Sequence, residues 1–371
     1  MRRTGRKRWW QAGHAAVAAV VVAVPVLVAP GVATASDEPQ HRTRPAFAEV
    51  DLVSNIPGRA AVTDGNVQNA WGLALGPASP LWVANNGTNT ATLYRGGVGG
   101  APPAVVPLVV SIPGGAPTGQ VFNGTGDFVV TGPNGSGSAL FLFVSEGGDV
   151  TGWSPAADGT HAILAGHVQG AIYKGLALAS TPFGNFLLAA DFHNGRIDVF
   201  DRAFQRIRLP RPFFTDQRLP RGYAPFDVAV LDGKIYVAYA QQDADRVDEV
   251  AGAGKGFVDV YNRFGLLERQ LVRRGPLNAP WGLEIAPSSF GRFAGDLLVG
   301  NFGDGRITAV DRRTGQVDGQ LRDVHGRPIE IDGLWALLRG TAATGGTDAV
   351  WFSAGPNEEA DGLVGQIRPA A

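Results

Sequence analysis

Short apolar runs, rich in β-branched and aromatic side chains, recur along this chain and stop each time at Gly, Pro, Asn or Asp. Runs of about four to six residues with such boundaries are strands, and no stretch keeps an amphipathic helical period beyond about one or two turns. The runs fall into a fixed order. A first type is entered through a turn: "AWGLALG" from Ala70, "TGQVFNG" from Thr118, "YKGLALA" from Tyr173, "APFDVAV" from Ala224, "APWGLEI" from Ala279 and "DGLWALL" from Asp332. Their spacing of about 50 residues is the signature of a repeat architecture. A second run follows in each unit ("PLWVAN", "LFLFVSE", "FLLAAD", "KIYVAY", "DLLVGN", "AVWFSAG"), then a third ("TATLYR", "DVTGWS", "RIDVFD", "FVDVYN", "RITAVD", "LVGQIR"). A weaker fourth is readable in five units, as "AVVPLVV", "HAILAGH", "RLPRPFF", "LLERQLV" and "VDGQLRD".

Four strands in each of six units predict an all-β fold, a six-bladed β-propeller. The sixth unit runs out after three strands, while "FAEVDLV" (Phe47–Val53) is an orphan strand ahead of the first unit. Pairing of that N-terminal strand with the last blade closes the ring and removes the open sheet edges of a linear array. The propeller is therefore expected over residues 47–371 as a single domain, after a polar leader at 36–46. Two long insertions stand out: "GTGDFVVTGPNGSGSA" in blade two and "QQDADRVDEVAGAGKG" in blade four. Long loops on a rigid scaffold are where binding specificity often sits.

The first 35 residues depart from this pattern. A basic segment, "MRRTGRKRWW", precedes an apolar run from Ala15 to Ala29 and an A-x-A site ending at Ala35. That is the layout of a secretory signal peptide, so a secreted, extracellular protein is expected. The run is short for a spanning helix and Pro25 interrupts it, so no stable membrane span is expected after cleavage. Arg2 and Arg3 leave the choice between general secretory and twin-arginine export open. Residues 1–35 carry five Lys/Arg and no acid, so beyond them 27 basic residues face 33 acidic ones. A mildly acidic chain with three Lys beyond the leader and no basic stripe is a poor nucleic-acid binder. The chain has no Cys, which excludes disulfides, thiolate metal sites and a thiol nucleophile. A monomer is expected.

Candidate chemistry collects where each second strand meets one mouth of the channel. The residues there are Asn85, Glu146, Asp191, Tyr239, Asn301 and Ala354, with Gln241 two residues beyond Tyr239. Oxygen ligands in a ring suit Ca²⁺ or another divalent metal, with Asn85, Glu146, Asp191 and Asn301 as the metal set. The same residues equally suit turns, which favour Asn and Asp. The first strands supply a second row: Trp71, Gln120 or Phe122, Lys174, Phe226, Trp281 and Trp335. These side chains either line a channel for a flat ligand or a sugar, or wedge the splayed blades apart. Lys174 is the exception in that row, placed to reach Glu146 or Asp191, or to snorkel into solvent. The acidic stretch "DADRVDE" (243–249) lacks the spacing of a calcium loop and reads as solvated. His193, two residues after Asp191, is the one histidine expected at the mouth, as a general base or a surface side chain. There is no H-E-x-x-H, G-x-S-x-G, P-loop or dinucleotide motif.

The phrases "NAWGLALGPASPLWVANNGTNTATLY", "GYAPFDVAVLDGKIYVAYAQQD", "LNAPWGLEIAPSSFG" and "LLVGNFGDGRITAVD" together resemble a family of bacterial secreted proteins of uncharacterised function, over about residues 47–368. More distantly, the blades are similar to NHL-repeat and gluconolactonase (SMP-30-like) propellers. The latter resemblance implies a divalent metal in the channel and lactone hydrolysis, with Asn85, Asp191 and Asn301 as chemically suitable ligands and Glu146 as a further carboxylate. Three functions are thus in view. The first is non-catalytic binding of a small ligand, glycan or protein at the channel mouth. The second is a metal-dependent, lactonase-like hydrolase with Asp191 or Glu146 as ligand or base. The third is a structural role at the cell envelope.

Overall fold

The computed structural model describes residues 45–370. Five four-stranded antiparallel sheets and one five-stranded sheet are arranged as the six blades. Blade one runs from Ala70–Ala74 outward through Leu81–Asn85 and Thr90–Gly96 to Pro103–Ser111, and blades two to five repeat the order. In blade six, Leu334–Arg339, Val350–Ala354 and Leu363–Pro369 are completed by Phe47–Ser54, which pairs antiparallel with the last of them. The orphan strand therefore closes the ring as its sequence predicts. One strand was not legible: Val62–Thr63 adds a parallel pair outside Phe47–Ser54. The expected signal peptide and most of the leader lie outside the described residues.

The outer strands depart most from the sequence reading. In blade three the outer strand is only Arg206–Ile207, so "RLPRPFF" is not a strand. The blade-two insertion builds its own hairpin, Val129–Gly132 with Gly135–Ser138. Phe128 anchors that hairpin, fully buried against Phe204.

Apolar clusters fill the wedges between adjacent blades, and another fills the axis. One irregularity recurs where it matters for function. In every blade the pairing of the two innermost strands shifts at the same place, just after Ala70, Pro117, Tyr173, Pro225, Pro280 and Leu334. A bulge re-aims the side chain that follows and leaves backbone groups outside the ladder. Side chains of other blades take up carbonyls near it. Thr118 Oγ1 donates to Tyr173 O at 2.7 Å, Trp281 Nε1 donates to Lys174 O at 3.2 Å, and Ser353 Oγ donates to Trp71 O. The register places Trp71, Thr118, Lys174, Phe226, Trp281 and Trp335 in one ring around the axis. In blade two the member is thus Thr118, rather than Gln120 or Phe122.

Candidate functional site at the channel mouth

Aromatic side chains close the axis just inside this ring. Trp71 stacks on Trp335 with centroids 3.6 Å apart, and Phe302 stacks on Trp335 at 4.1 Å. Trp281 meets Trp335 edge-on at 5.9 Å, and Phe226 approaches it at 5.8 Å. Trp71, Trp281 and Trp335 are buried, so they plug the channel rather than offer a stacking face. Phe302, which no sequence pattern marks, is the partly exposed member of the stack.

Lys174 stands on this plug. Its side chain is 1% exposed, and its ammonium lies 5.2 Å from the Trp71 ring centroid. Nζ donates to Glu146 Oε1 at 2.6 Å and to Asp248 Oδ1 at 3.3 Å. Burial alone lowers the pKa of a lysine, but the Glu146, Asp248 and Glu249 carboxylates outweigh it and hold Lys174 above its ordinary value. The blade-four insertion, read as solvated, therefore sends Asp248 across to the inner strand of blade three.

Further acids and amides extend the cluster. Glu146 Oε2 accepts from Asn86 Nδ2 at 3.1 Å. Asn69 donates through Nδ2 to Glu359 Oε2 at 2.5 Å and accepts from Trp335 Nε1 at 2.9 Å. Burial pushes the Glu249 carboxyl up to about 7, and the Glu359 and Asp248 charges add to the effect. Burial likewise raises Glu359, against the Asn69 hydrogen bond and the Lys174 charge. Glu359 ends three consecutive left-handed residues, Asn357, Glu358 and Glu359, with φ of 56°, 55° and 65°. Such backbone is costly in non-Gly residues and clusters at functional sites. Blades one, two, three, four and six thus converge on one acceptor-rich mouth with an ammonium at its floor.

Of the expected polar ring, only Glu146 belongs to this cluster. Register shows Ser145, its neighbour, as the counterpart of Asn85, Asp191 and Asn301. Those three are fully buried; Asn85 and Asp191 lock hairpins, and Asn301 holds the loop that enters blade five. Asn85 donates to Thr90 and Thr92, at 3.2 and 3.1 Å. Asp191 accepts from Asn194 and pairs with Arg196 Nη2 at 2.9 Å. Asn301 Oδ1 accepts from Asn278 N at 3.1 Å, and its amide donates to Pro276 O at 2.8 Å. These four do not form one donor set for a divalent metal: the Asp191 and Asn301 oxygens accept from protein donors and Glu146 serves Lys174, which leaves only the buried Asn85 Oδ1 without a partner. Among the described residues, no three His, Cys, Asp or Glu side chains are grouped to hold one. Tyr239 is buried between blades, its hydroxyl 2.7 Å from that of Tyr261. Gln241 contributes its carbonyl to Val250 N in the insertion. His193 bonds the Arg246 carbonyl at 3.2 Å instead of pairing with Asp191.

No family model matches the chain. It is 36% identical over 326 residues to Uncharacterized protein R648 of Acanthamoeba polyphaga mimivirus, spanning 85% of this chain and 78% of that protein. It is 33% identical to Uncharacterized protein L690 of the same virus, over 85% of this chain and 84% of that protein. These relatives are viral and do not support the bacterial affiliation expected from the resemblance. Among solved structures, a protein of unknown function from Bacteroides thetaiotaomicron has a TM-score of 0.52 at 13% identity, over 87% of this chain and 76% of that one. A gluconolactonase from Xanthomonas campestris has a TM-score of 0.39 at 15% identity, over 62% and 82%. At 13% identity the likeness to the Bacteroides protein is one of fold alone.

Proposed function

We infer the function of a chain that belongs to the same family as mimivirus proteins R648 and L690 from its channel mouth: it is a sugar-binding propeller without turnover. The observation that carries this reading is the buried Lys174 ammonium beneath Glu146, Asp248, Glu249 and Glu359, which arrive from three blades. Evolution of a stable mouth does not require an ammonium there, because a buried ion pair is often no better than packed apolar side chains. What such a cluster supplies is fixed direction. Carboxylates accept from sugar hydroxyls, the ammonium donates to a ring or hydroxyl oxygen, and the amides of Asn69 and Asn86 can do both. Phe302, half-buried at the same end of the aromatic stack, offers an apolar face for the C–H side of a pyranose. The mouth holds more acceptors than donors, which suits a ligand rich in O–H groups.

The basic, apolar and A-x-A layout of residues 1–35 supports export, so the ligand is met outside the cell that makes the protein, as a monomer. Detection of the processed chain in the culture medium, with its N-terminus at Ser36, tests that part of the reading. Titration calorimetry with a panel of mono- and disaccharides tests the site. A saturable isotherm is expected for at least one sugar, weakened at least about tenfold by Glu146→Gln and unaffected by EDTA. The reading fails if no sugar binds, if binding needs a divalent metal, or if the bound compound or a lactone is turned over.

A further inference from the structure

Beyond the aromatic plug the channel continues toward the opposite face as a second cavity, of about 260 Å³, lined by the inner strands of all six blades. Its walls are mainly apolar, and three polar residues, Gln120, Asp227 and Glu284, break their pattern. The position after each ring residue is held by Gly72, Gly119, Gly175, Gly282 and Ala336, and in blade four by Asp227. These small residues are needed because neighbouring backbone presses on them: a Cβ at Gly72 would lie 2.4 Å from Thr118 O, and one at Gly282 2.6 Å from Trp335 O. One position further on stand Leu73, Leu176, Val228, Leu283 and Leu337, and in blade two Gln120.

Both exceptions are buried, at 6% exposure each. The Asp227 carboxylate lies against the inner strand of blade three, where a Cβ on Gly175 would come within 2.1 Å of Oδ1. Burial pushes this carboxyl well up, and only the Val228 N–H opposes it. No cationic side chain among the described residues answers it. Glu284, in the same wall, differs: its two oxygens accept from Ile285 N and Arg339 N, at 2.7 and 2.8 Å. Gln120 donates to Gly72 O and Trp82 O at 2.6 and 2.8 Å, while its buried Oε1 has no partner. An acid without a cationic partner, lining an apolar cavity at a position where the fold elsewhere uses Gly or Ala, is a local choice that packing does not explain. Such conflicts between local residue and global fold are expected at functional positions.

We propose that this cavity is a second binding site, for a small organic cation with a short apolar tail, such as a primary alkylammonium. The ammonium sits at Asp227 and donates to its carboxylate. The tail lies along Leu176, Val228, Leu283 and Leu337 toward the open end. The site is chemically distinct from the mouth, whose apolar surface is aromatic rather than aliphatic and which already carries its own ammonium.

Titration calorimetry with three probes of equal chain length, n-hexylammonium, n-hexanol and hexanoate, separates the charge from the cavity. Hexylammonium is expected to bind saturably at one site, hexanol at least about tenfold more weakly, and hexanoate not at all. Asp227→Asn is expected to bring hexylammonium down to the level of hexanol, while sugar binding at the mouth stays as in the unaltered protein. Should that variant not fold, Val230→Trp, which narrows the open end and keeps the carboxylate, is expected to exclude both hexylammonium and hexanol. Equal binding of the three probes, hexylammonium binding that survives both substitutions, or no binding of hexylammonium overturns the proposal.

Discussion

At the scale of single residues, the mouth depends on how unequally Lys174 shares its charge. Glu146 meets the ammonium at 2.6 Å with a side chain 29% exposed, whereas Asp248 stands at 3.3 Å and is 66% exposed. Removing the closer partner leaves a buried ammonium poorly compensated, a loss of about 3 kcal/mol. Removing the other breaks a solvent-screened pair worth about 0–1 kcal/mol. Urea unfolding of Glu146→Gln and Asp248→Asn therefore separates the two, and equal losses would show that Lys174 is not held as described. The residue scale is also where the sequence was least legible. Asn85, Asp191 and Asn301 share a strand-end position because the adjoining turns and loops need an amide or carboxylate there, and a ligand ring would give the same spacing. Glu146 was singled out one residue from the true register position, and it faces the channel because it lies in the turn. Asp248 reaches Lys174 across blades, as Asn69 reaches Glu359, and no local pattern in the chain marks such contacts. The Lys in an otherwise aromatic ring was the one available signal.

At the scale of elements, most of the fold was legible because inner strands are buried on both faces and read as unbroken apolar runs. Outer strands have a solvent-facing side, and their pattern weakens accordingly. Blade three shows the limit, with an outer strand of two residues where a longer apolar phrase follows. The six bulges left no trace in composition, yet they shift the ring in blade two from Gln120 to Thr118. Closure by Phe47–Ser54 was legible from counting alone, and the structure shows what holds it. Phe47 is 1% exposed, packs on Phe290 and Phe293 with centroids at 4.9 and 6.1 Å, and donates its N–H to Arg322 O at 2.8 Å. It thus ties the closing strand to blade five as well as to blade six. Phe47→Ala is expected to cost about 3–5 kcal/mol through the lost contacts and the cavity left behind. Deletion of residues 47–54 is expected to prevent cooperative unfolding altogether, because it strips the ladder from Leu363–Pro369. Circular dichroism melts check both, and a deletion variant as stable as the full propeller would mean that the ring does not need this strand.

At the scale of the whole molecule, the buried acids set how stability responds to pH. Burial is the main cause that raises Glu49, Glu249, Asp259 and Glu284, each to about 7. In the unfolded chain these groups return to the ordinary range near 4 to 4.5. Between about pH 4.5 and 7 the folded protein therefore binds more protons than the unfolded chain, so stability falls as pH rises through that window. The opposite sign belongs to Asp158, Asp311 and Asp323, whose carboxylates accept from nearby backbone N–H groups and are held low; their contribution is lost only as pH drops below the ordinary aspartate range. Lys174, held high, contributes stability that is complete below its ordinary value and lost only in strong alkali. The balance places the maximum on the acid side of neutrality. Melting temperature is expected to rise as pH is lowered from 8 to about 5, then to fall below about 4. Glu284, 6% exposed, accounts for a portion on the order of 3 kcal/mol. Glu284→Gln, which cannot ionise, is expected to flatten the rise by that portion. The readout is the slope of melting temperature against pH rather than the stability at any one pH. A wild-type curve that is flat or falling from pH 8 to 5 would show that these acids are ionised and solvated in the folded protein, and that the channel wall around Glu284 is wet.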